Sequence, residues 1–343
     1  MKFDFCIGNP PYQEESNGEN QNLSMPVYNK FLDAASEVAD VVEMIHPARF
    51  LTGVGRTPAE FTERKLNDEH FKILQFESDA SKIFPNTDIK GGVVISLENK
   101  NKNYGKIGTF ISQNELKDIF DKVWKNINVN SVSIFDLVTP RLYFRYTDQL
   151  FTDFPKLDSN NGSLHAIQSD AFDKNTFIFH EKKEEEDIGF IGKIKGNRDR
   201  VWRYVNKRYV ADNSVIDAWK IVMPRSSGNG VFGEPLTQPT ITEPQTGMTD
   251  TFICVGPLNT KDEADAALKY IKTKFARAML SILKNTQGNT RTVWKYVPLQ
   301  DFTVQSDIDW SKSIYEIDQQ LYKKYGLSQE EIDFIETNVK EME

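Results

Sequence analysis

Apolar and polar positions alternate along the first hundred residues in two rhythms. Phe3-Asp4-Phe5-Cys6-Ile7 alternates with period two and predicts a short strand closed by Gly8. Val27, Phe31, Ala34, Ala35 and Val38 recur at helical spacing and predict a helix over 27–38. Val41 to Ile45 predicts a strand stopped by Pro47, and Phe61 to Leu66 a helix. Phe71 to Phe76 and Gly92 to Leu97 predict two more strands, the second a continuous apolar run of the buried kind. Strands and helices taking turns in this way mark an α/β architecture.

The Lys- and Asn-rich stretch 99–106 reads as a boundary, so the chain divides into 1–104 and 105–343. The second part is mixed. A helix is predicted over Asn114–Trp124, and polar loops over 158–162 and 181–187. Gly189 to Val210 interleaves basic and aromatic residues in strand fashion. Ser226 to Gly247, rich in Gly, Pro and Thr, reads as loop with short strands. Thr251 to Gly256 predicts a strand and Lys261 to Asn285 one long helix. Ser328-Gln329-Glu330-Glu331 is a capping box that opens a final helix.

The length of 343 residues suits two domains of roughly 150 residues each. No apolar run approaches the roughly 18 residues that span a bilayer, and the first residues lack a signal-peptide core, so a cytoplasmic protein without membrane contact is expected. Cys6 and Cys254 form neither a disulfide framework nor a CxxC pair, and the four histidines are scattered, so no metal is expected. The net charge of −8 argues against a nucleic-acid partner, but the charge is uneven. Basic residues dominate 189–230 and are unopposed by acidic ones over 266–296. A DNA-binding protein needs a local positive face, not a positive total.

The sharpest chemical feature is Asn9-Pro10-Pro11-Tyr12, directly after the first strand. The exocyclic amine of a purine is a poor nucleophile because its lone pair is delocalised into the ring. Two acceptors held against its hydrogens favour a tetrahedral nitrogen and free that lone pair. Asn9 can offer its side-chain oxygen and Pro10 its carbonyl. The two prolines fix the backbone, so these acceptors are preorganised. Tyr12 supplies a flat face for a base that has left the duplex.

With these residues the chain resembles the adenine-specific DNA methyltransferases of restriction–modification systems, over nearly its whole length. Asn9-Pro10-Pro11-Tyr12 matches the catalytic tetrapeptide. Val27 to Leu32 matches the helix behind it, and Met44 to Leu51 the next strand and its proline turn. Lys82-Ile83-Phe84-Pro85, followed by Gly91 to Ile95, matches the segment that sets an aromatic ring on the other face of the adenine, which makes Phe84 the second stacking residue. Segments 220–233, 270–287 and 297–302 resemble target-recognition domains. The resemblance implies transfer of a methyl group from S-adenosylmethionine to adenine N6 in double-stranded DNA. It implies a partial Rossmann-like methyltransferase sheet, with its cofactor-binding strands missing, followed by an α+β target-recognition domain.

In such enzymes the glycine-rich cofactor loop precedes the catalytic tetrapeptide, and here eight residues precede Asn9. The expectation is that the cofactor site is largely absent and that activity needs a separate or missing cofactor-binding part; a restriction subunit is a further possible partner. Gly228-Asn229-Gly230-Val231-Phe232-Gly233 fits GxGxxG formally, but prolines follow it and no helix opens there, so it reads as a DNA-facing turn. The residues expected to contact DNA are Arg200, Arg203 and Arg208 in the basic–aromatic stretch and Lys272, Lys274 and Arg277 on the long helix. Phe3 to Ile7 is expected to lie at a sheet edge with apolar side chains bare. Alternatives are a non-catalytic DNA-binding remnant or subunit of a restriction–modification system, and a methyltransferase for a glutamine amide or an RNA guanine.

Overall fold

The computed structural model describes residues 2–14, 25–53, 56–85, 87, 89, 91–125, 133–155, 157, 165–197 and 199–342. The polar loop expected over 158–162 lies outside them. The chain forms two compact units, one of residues 1–118 with 282–286, the other of 119–281 with 287–343.

The first unit opens with β1 (Phe3–Gly8), α1 (Tyr28–Val38) and β2 (Ala39–Pro47). β1 and β2 pair in parallel, Phe3 opposite Ala39 and Gly8 opposite Met44, so a crossover must join them, and α1 supplies it. α2 (Ala59–Asn67), β3 (Phe71–Glu77) and β4 (Val93–Asn99) follow, then α3 (Asn114–Lys125), which runs on into the second unit. The sheet order is β1-β2-β4-β3, with β4 antiparallel to both of its neighbours. α1 buries Tyr28, Leu32 and Ala35, one stripe at i, i+4 and i+7. They join Val42 and Met44 of β2 and Phe50, Phe61 and Phe71 in one core. The buried stripe is not the one its apolar spacing suggested: Phe31 and Val38, one heptad apart, are exposed.

β1 stands at the edge of this sheet, as expected. Its Cys6 side packs toward the core. On the other side Phe3, Phe5 and Ile7 are 51%, 67% and 76% exposed. An edge strand with a bare apolar face presents both unpaired backbone groups and unburied hydrocarbon.

The second unit contains α4 (Asp148–Asp153), α5 (Ala171–Lys174), β5 (Asp187–Gly192), β6 (Val201–Asn206), β7 (Trp219–Pro224), β8 (Thr240–Thr242), β9 (Thr246–Met248) and β10 (Phe252–Leu258). These strands make two three-stranded sheets, β10-β7-β8 and β6-β5-β9. α6 (Lys261–Lys272), α7 (Lys274–Ser281), α8 (Ile314–Tyr325) and α9 (Gln329–Asn338) complete it. The single helix expected over 261–285 is thus two helices with an irregular end. The break is at Thr273, whose backbone turns extended (ψ 151°). Its hydroxyl donates to the Tyr270 carbonyl at 2.7 Å and accepts the Ala276 N–H at 3.1 Å, so it closes one helix and caps the next. The Asp318 carboxylate accepts the Lys274 and Phe275 N–H groups, which satisfies two more orphan donors. Among the described residues no helix is long and apolar enough to cross a membrane.

Candidate active site on the first unit

The parallel pairing of β1 with β2 brings their carboxyl ends to the same edge, so Asn9 leaves the sheet beside the end of β2. Pro10 is buried, while Asn9 and Pro11 are exposed. Among the described residues no hydrogen bond engages the Asn9 amide, so both its oxygen and its nitrogen are open to a ligand. The chain after the tetrapeptide is pinned: Val27 donates its N–H to the Tyr12 carbonyl at 3.2 Å, and Glu14 donates to Met25 at 2.9 Å. Tyr12 packs against the core that includes α1 and β2. Its hydroxyl is shielded from solvent with no hydrogen-bond partner, and burial raises its pKa.

Phe84 reaches the same place from the connection between β3 and β4. Asp79 accepts the Ser81 N–H and hydroxyl, which winds a short turn over Ala80–Lys82. Phe84 then donates its N–H to Ala80 at 2.8 Å, and the Thr87 hydroxyl donates back to the Phe84 carbonyl at 2.6 Å. The ring of Phe84 meets that of Tyr12 with centroids 6.4 Å apart and planes at 69°. The connection returns to β4 through Gly92, at φ +77°; a Cβ there would stand 2.3 Å from the Glu77 carbonyl oxygen.

Behind the tetrapeptide the core is aromatic. His46 on β2 is wholly buried, stacked on Tyr28 (5.4 Å, 12°), with its Nε2 at 2.8 Å from the Ser96 hydroxyl. Burial lowers its pKa to about 4, so it is a neutral packing group at physiological pH. The Tyr28 hydroxyl pairs with Thr57 at 2.6 Å, and burial raises its pKa.

The basic residues singled out in the sequence lie in the second unit and do not form one set. Arg208 is the most open of them; its guanidinium lies over the Tyr209 ring at 4.6 Å, bonds the Tyr209 hydroxyl and stands 3.4 Å from Asp153. Arg203 on β6 pairs with Glu181 at 2.9 Å. Arg200 is half-buried over the Phe252 ring and donates to Thr240 at 3.0 Å and Gln238 at 2.6 Å; burial lowers its pKa. Lys272 is half-buried and engaged. Lys274 pairs with Glu336 at 2.6 Å. Arg277 is only 1% exposed, gives its guanidinium to the carbonyls of Lys272, Gly233 and Lys340, and has its pKa lowered to about 10 by burial. The outward face expected on the long helix is therefore corrected for α7: six of its eight residues are buried, and its cations are engaged by the unit's own chain.

The glycine-rich turn at 228–233 is likewise filled from within. The N–H groups of Asn229 and Gly230 donate to the Glu234 carboxylate at 2.7 and 3.1 Å. The turn makes an anion nest and then occupies it with its own side chain. Sequence reasoning named no metal ligands; His180 and Glu184 before β5 and Asp187 at its first position bring one ligand atom each within 4.8 Å of one another. Sequence reasoning quoted Arg49 and Asn285 only within longer matching segments and gave them no role; the side chains of these two residues of the first unit flank Gly91.

Residues 1–84, which end at Phe84, match the model of the Eco57I restriction-modification methylase family. An uncharacterized adenine-specific methylase of Mycoplasma pneumoniae (strain ATCC 29342 / M129 / Subtype 1) is 25% identical over 167 residues, which are 48% of this chain and 38% of that protein. The chain thus spans well under half the length of this relative. Two solved structures align over most of the chain at low similarity. One is the type IIG restriction endonuclease BpuSI (92% of this chain and 48% of that one, 12% identity, TM-score 0.35). The other is the type IIL restriction-modification enzyme MmeI in complex with DNA (98% and 56%, 10% identity, TM-score 0.44). Neither superposition is close enough to establish a shared fold. Residues 1–84 are thus similar to restriction-modification methylases, and about half of the chain is similar to an adenine-specific methylase.

Proposed function

We propose that this chain carries the adenine pocket and the target-recognition part of a DNA methyltransferase acting on adenine N6. The observation that carries the reading is the open amide of Asn9, set at the carboxyl end of β1 with the rings of Tyr12 and Phe84 beside it. In this reading the Asn9 oxygen and the Pro10 carbonyl accept the two hydrogens of the extruded adenine's amine. The Pro10 carbonyl is fixed before the base arrives, by burial and by the ring, while the Asn9 amide stands open beside it. Tyr12 and Phe84 hold the base plane. Double-stranded DNA is bound by the second unit, with Arg208 as the most open of the six cations, Arg200, Arg203, Lys272 and Lys274, each partly buried and engaged, contributing less, and Arg277 holding the scaffold.

S-adenosylmethionine is the proposed methyl donor. The turn at 228–233 does not fit it, because Glu234 fills the N–H groups that a ribose or carboxylate would need. β10 does not fit either, since it is almost wholly buried. No step is therefore assigned to residues holding the cofactor in these segments. The sheet order β1-β2-β4-β3, with an antiparallel β4, suits the second half of a Rossmann-like methyltransferase sheet. The free edge of β1, with Phe3, Phe5 and Ile7 bare beside it, is where strands of a cofactor-binding part would pair and be covered.

The test is expression in its native genomic context in a host free of adenine methylation, with N6-methyladenine read at single-molecule resolution. Methylation at one short motif supports the reading. DNA binding by the chain without any methylation would favour the non-catalytic alternative.

A further inference from the structure

Among the described residues, five buried polar atoms of the first unit have no hydrogen-bond partner: the Tyr12 and Thr62 hydroxyls, the Asn29 and Asn285 side-chain oxygens, and Arg49 Nε. Native proteins leave few such atoms, and each needs a reason. Two of them belong to side chains that flank one glycine. A Cβ built on Gly91, at φ +86°, would lie 3.4 Å from Arg49 Cγ and 3.7 Å from Asn285 Nδ2, so both side chains flank the same glycine. Arg49 follows β2 by two residues and is thus at the carboxyl edge that also bears Asn9. Gly91 belongs to the connection that carries Phe84, and Asn285 to the segment 282–286 that returns to this unit.

The chemistry of Arg49 is unlike that of its peers. Arg64 and Arg225 meet carboxylates at 2.8 and 2.9 Å, and Arg203 and Arg291 also pair with acids. Among the described residues no carboxylate, carbonyl or hydroxyl accepts from the Arg49 guanidinium, although the side chain is half-buried and its Nε is sealed from solvent. A partly desolvated guanidinium without an acceptor is costly unless an anion completes it. Its planar N–H fork matches a phosphodiester, and the Asn285 amide offers further N–H donors beside it. An adenine held by Tyr12 and Phe84 brings its own backbone phosphates to this edge.

We propose that Arg49, a half-buried guanidinium without an acceptor among the described residues, and the Nδ2 donor of Asn285, which flank Gly91 together, seat a DNA phosphate beside the extruded adenine. The seat rests on the methyltransferase reading. It makes Arg49 a positioning residue, which anchors the nucleotide and leaves Asn9 to act on its amine.

The probe is a duplex with one unpaired adenine, in which either flanking phosphate is replaced by an uncharged methylphosphonate, bound to the full chain. With the native protein, one of the two replacements should weaken binding about tenfold or more, as loss of a charge-assisted hydrogen bond does. In Arg49→Gln that same replacement should cost less than about twofold, and Asn285→Ala should give an intermediate penalty. Thermal unfolding of both variants separates loss of the seat from loss of fold. Asn285→Asp, which adds a like charge to the phosphate, gives a second check by weakening binding of the native duplex more than Asn285→Ala does. An unchanged methylphosphonate penalty in folded Arg49→Gln, with preference for the unpaired adenine retained, overturns the seat alone. Equal binding of paired and unpaired duplexes by the native chain overturns the base-extrusion reading and the seat with it.

Discussion

The ring of Tyr12 meets the ring of Phe84 edge-on, with 6.4 Å between centroids and 69° between planes. A base sandwiched between two rings needs them nearly parallel and about 7 Å apart, near the upper limit of ordinary aromatic-pair spacing. The separation is thus close to what a base requires, and the tilt is not. Phe84 is half-buried on a short connection while Tyr12 packs on the core, so under the proposed reading Phe84 is the ring expected to turn. Phe84→Ala should weaken binding of a duplex with an unpaired adenine by about 1–3 kcal/mol and leave fully paired duplex nearly unaffected. Equal losses for both would make Phe84 a packing residue.

Gly92 fixes the path that delivers Phe84. With φ at +77° and the Glu77 carbonyl 2.3 Å from where a Cβ would sit, Gly92→Ala cannot be absorbed by a side-chain rotation. It should lower stability by about 1–3 kcal/mol in chemical denaturation. It should also remove the preference for unpaired adenine as Phe84→Ala does. A neutral Gly92→Ala would mean that the connection adopts another path.

His46 sets a pH dependence whose sign follows from its burial. Its pKa in the folded protein is lowered to about 4 from an ordinary value of 6.5. Above pH 6.5 both folded and unfolded states carry a neutral ring and the residue contributes no slope. As pH falls from 6.5 toward 4 the unfolded chain takes up a proton that the folded one refuses. Stability of the first unit should therefore drop, by about 3 kcal/mol when the window is crossed. His46→Gln should flatten that part of the curve. A His46 ring signal titrating near pH 6.5 by NMR would contradict the buried, neutral assignment.

The strand and helix order of the first unit was legible from apolar rhythm because each element there has one strongly patterned face. β1 is the clearest case, since its bare Phe3, Phe5 and Ile7 follow directly from its alternation and edge position. Asn9 to Tyr12 stood out in the sequence because its residue types answer a chemical demand, and its role is the proposal made above. The stripe buried by α1 was misjudged, since Tyr28 and Leu32 compete with Phe31 and Val38 for the same helix. The two helices at 261–281 looked like one because helical periodicity survives a single Thr273, and the break depends on Asp318, forty-odd residues on. The helix at 314–325 was missed although Ser313 to Glu316 forms the same capping box as Ser328 to Glu331. Arg49 and Asn285 fell inside segments that resemble the family but were assigned no role, because no sequence pattern shows that a buried polar atom lacks a partner.

The cations of the second unit should differ in what their loss does. Arg208 is 60% exposed at its side chain, whereas Lys274 is 17% exposed and tied to Glu336. Under the DNA-binding proposal, neutralising Arg208 should reduce the slope of log affinity against log salt by about 0.9 for each phosphate no longer neutralised. Lys274→Gln should leave the slope nearly unchanged and lower stability instead, by about 1–3 kcal/mol. A slope that responds to Lys274 and ignores Arg208 would move the DNA face to α7.

The central claim is that Asn9 activates the adenine amine, and one substitution tests it directly. In the native genomic context, N6-methyladenine should accumulate at the chain's motif with the native sequence. With Asn9→Ala the rate of methylation should fall by about a hundredfold or more, while affinity of the purified chain for duplex DNA stays within about twofold. Near-normal methylation in Asn9→Ala would contradict the account.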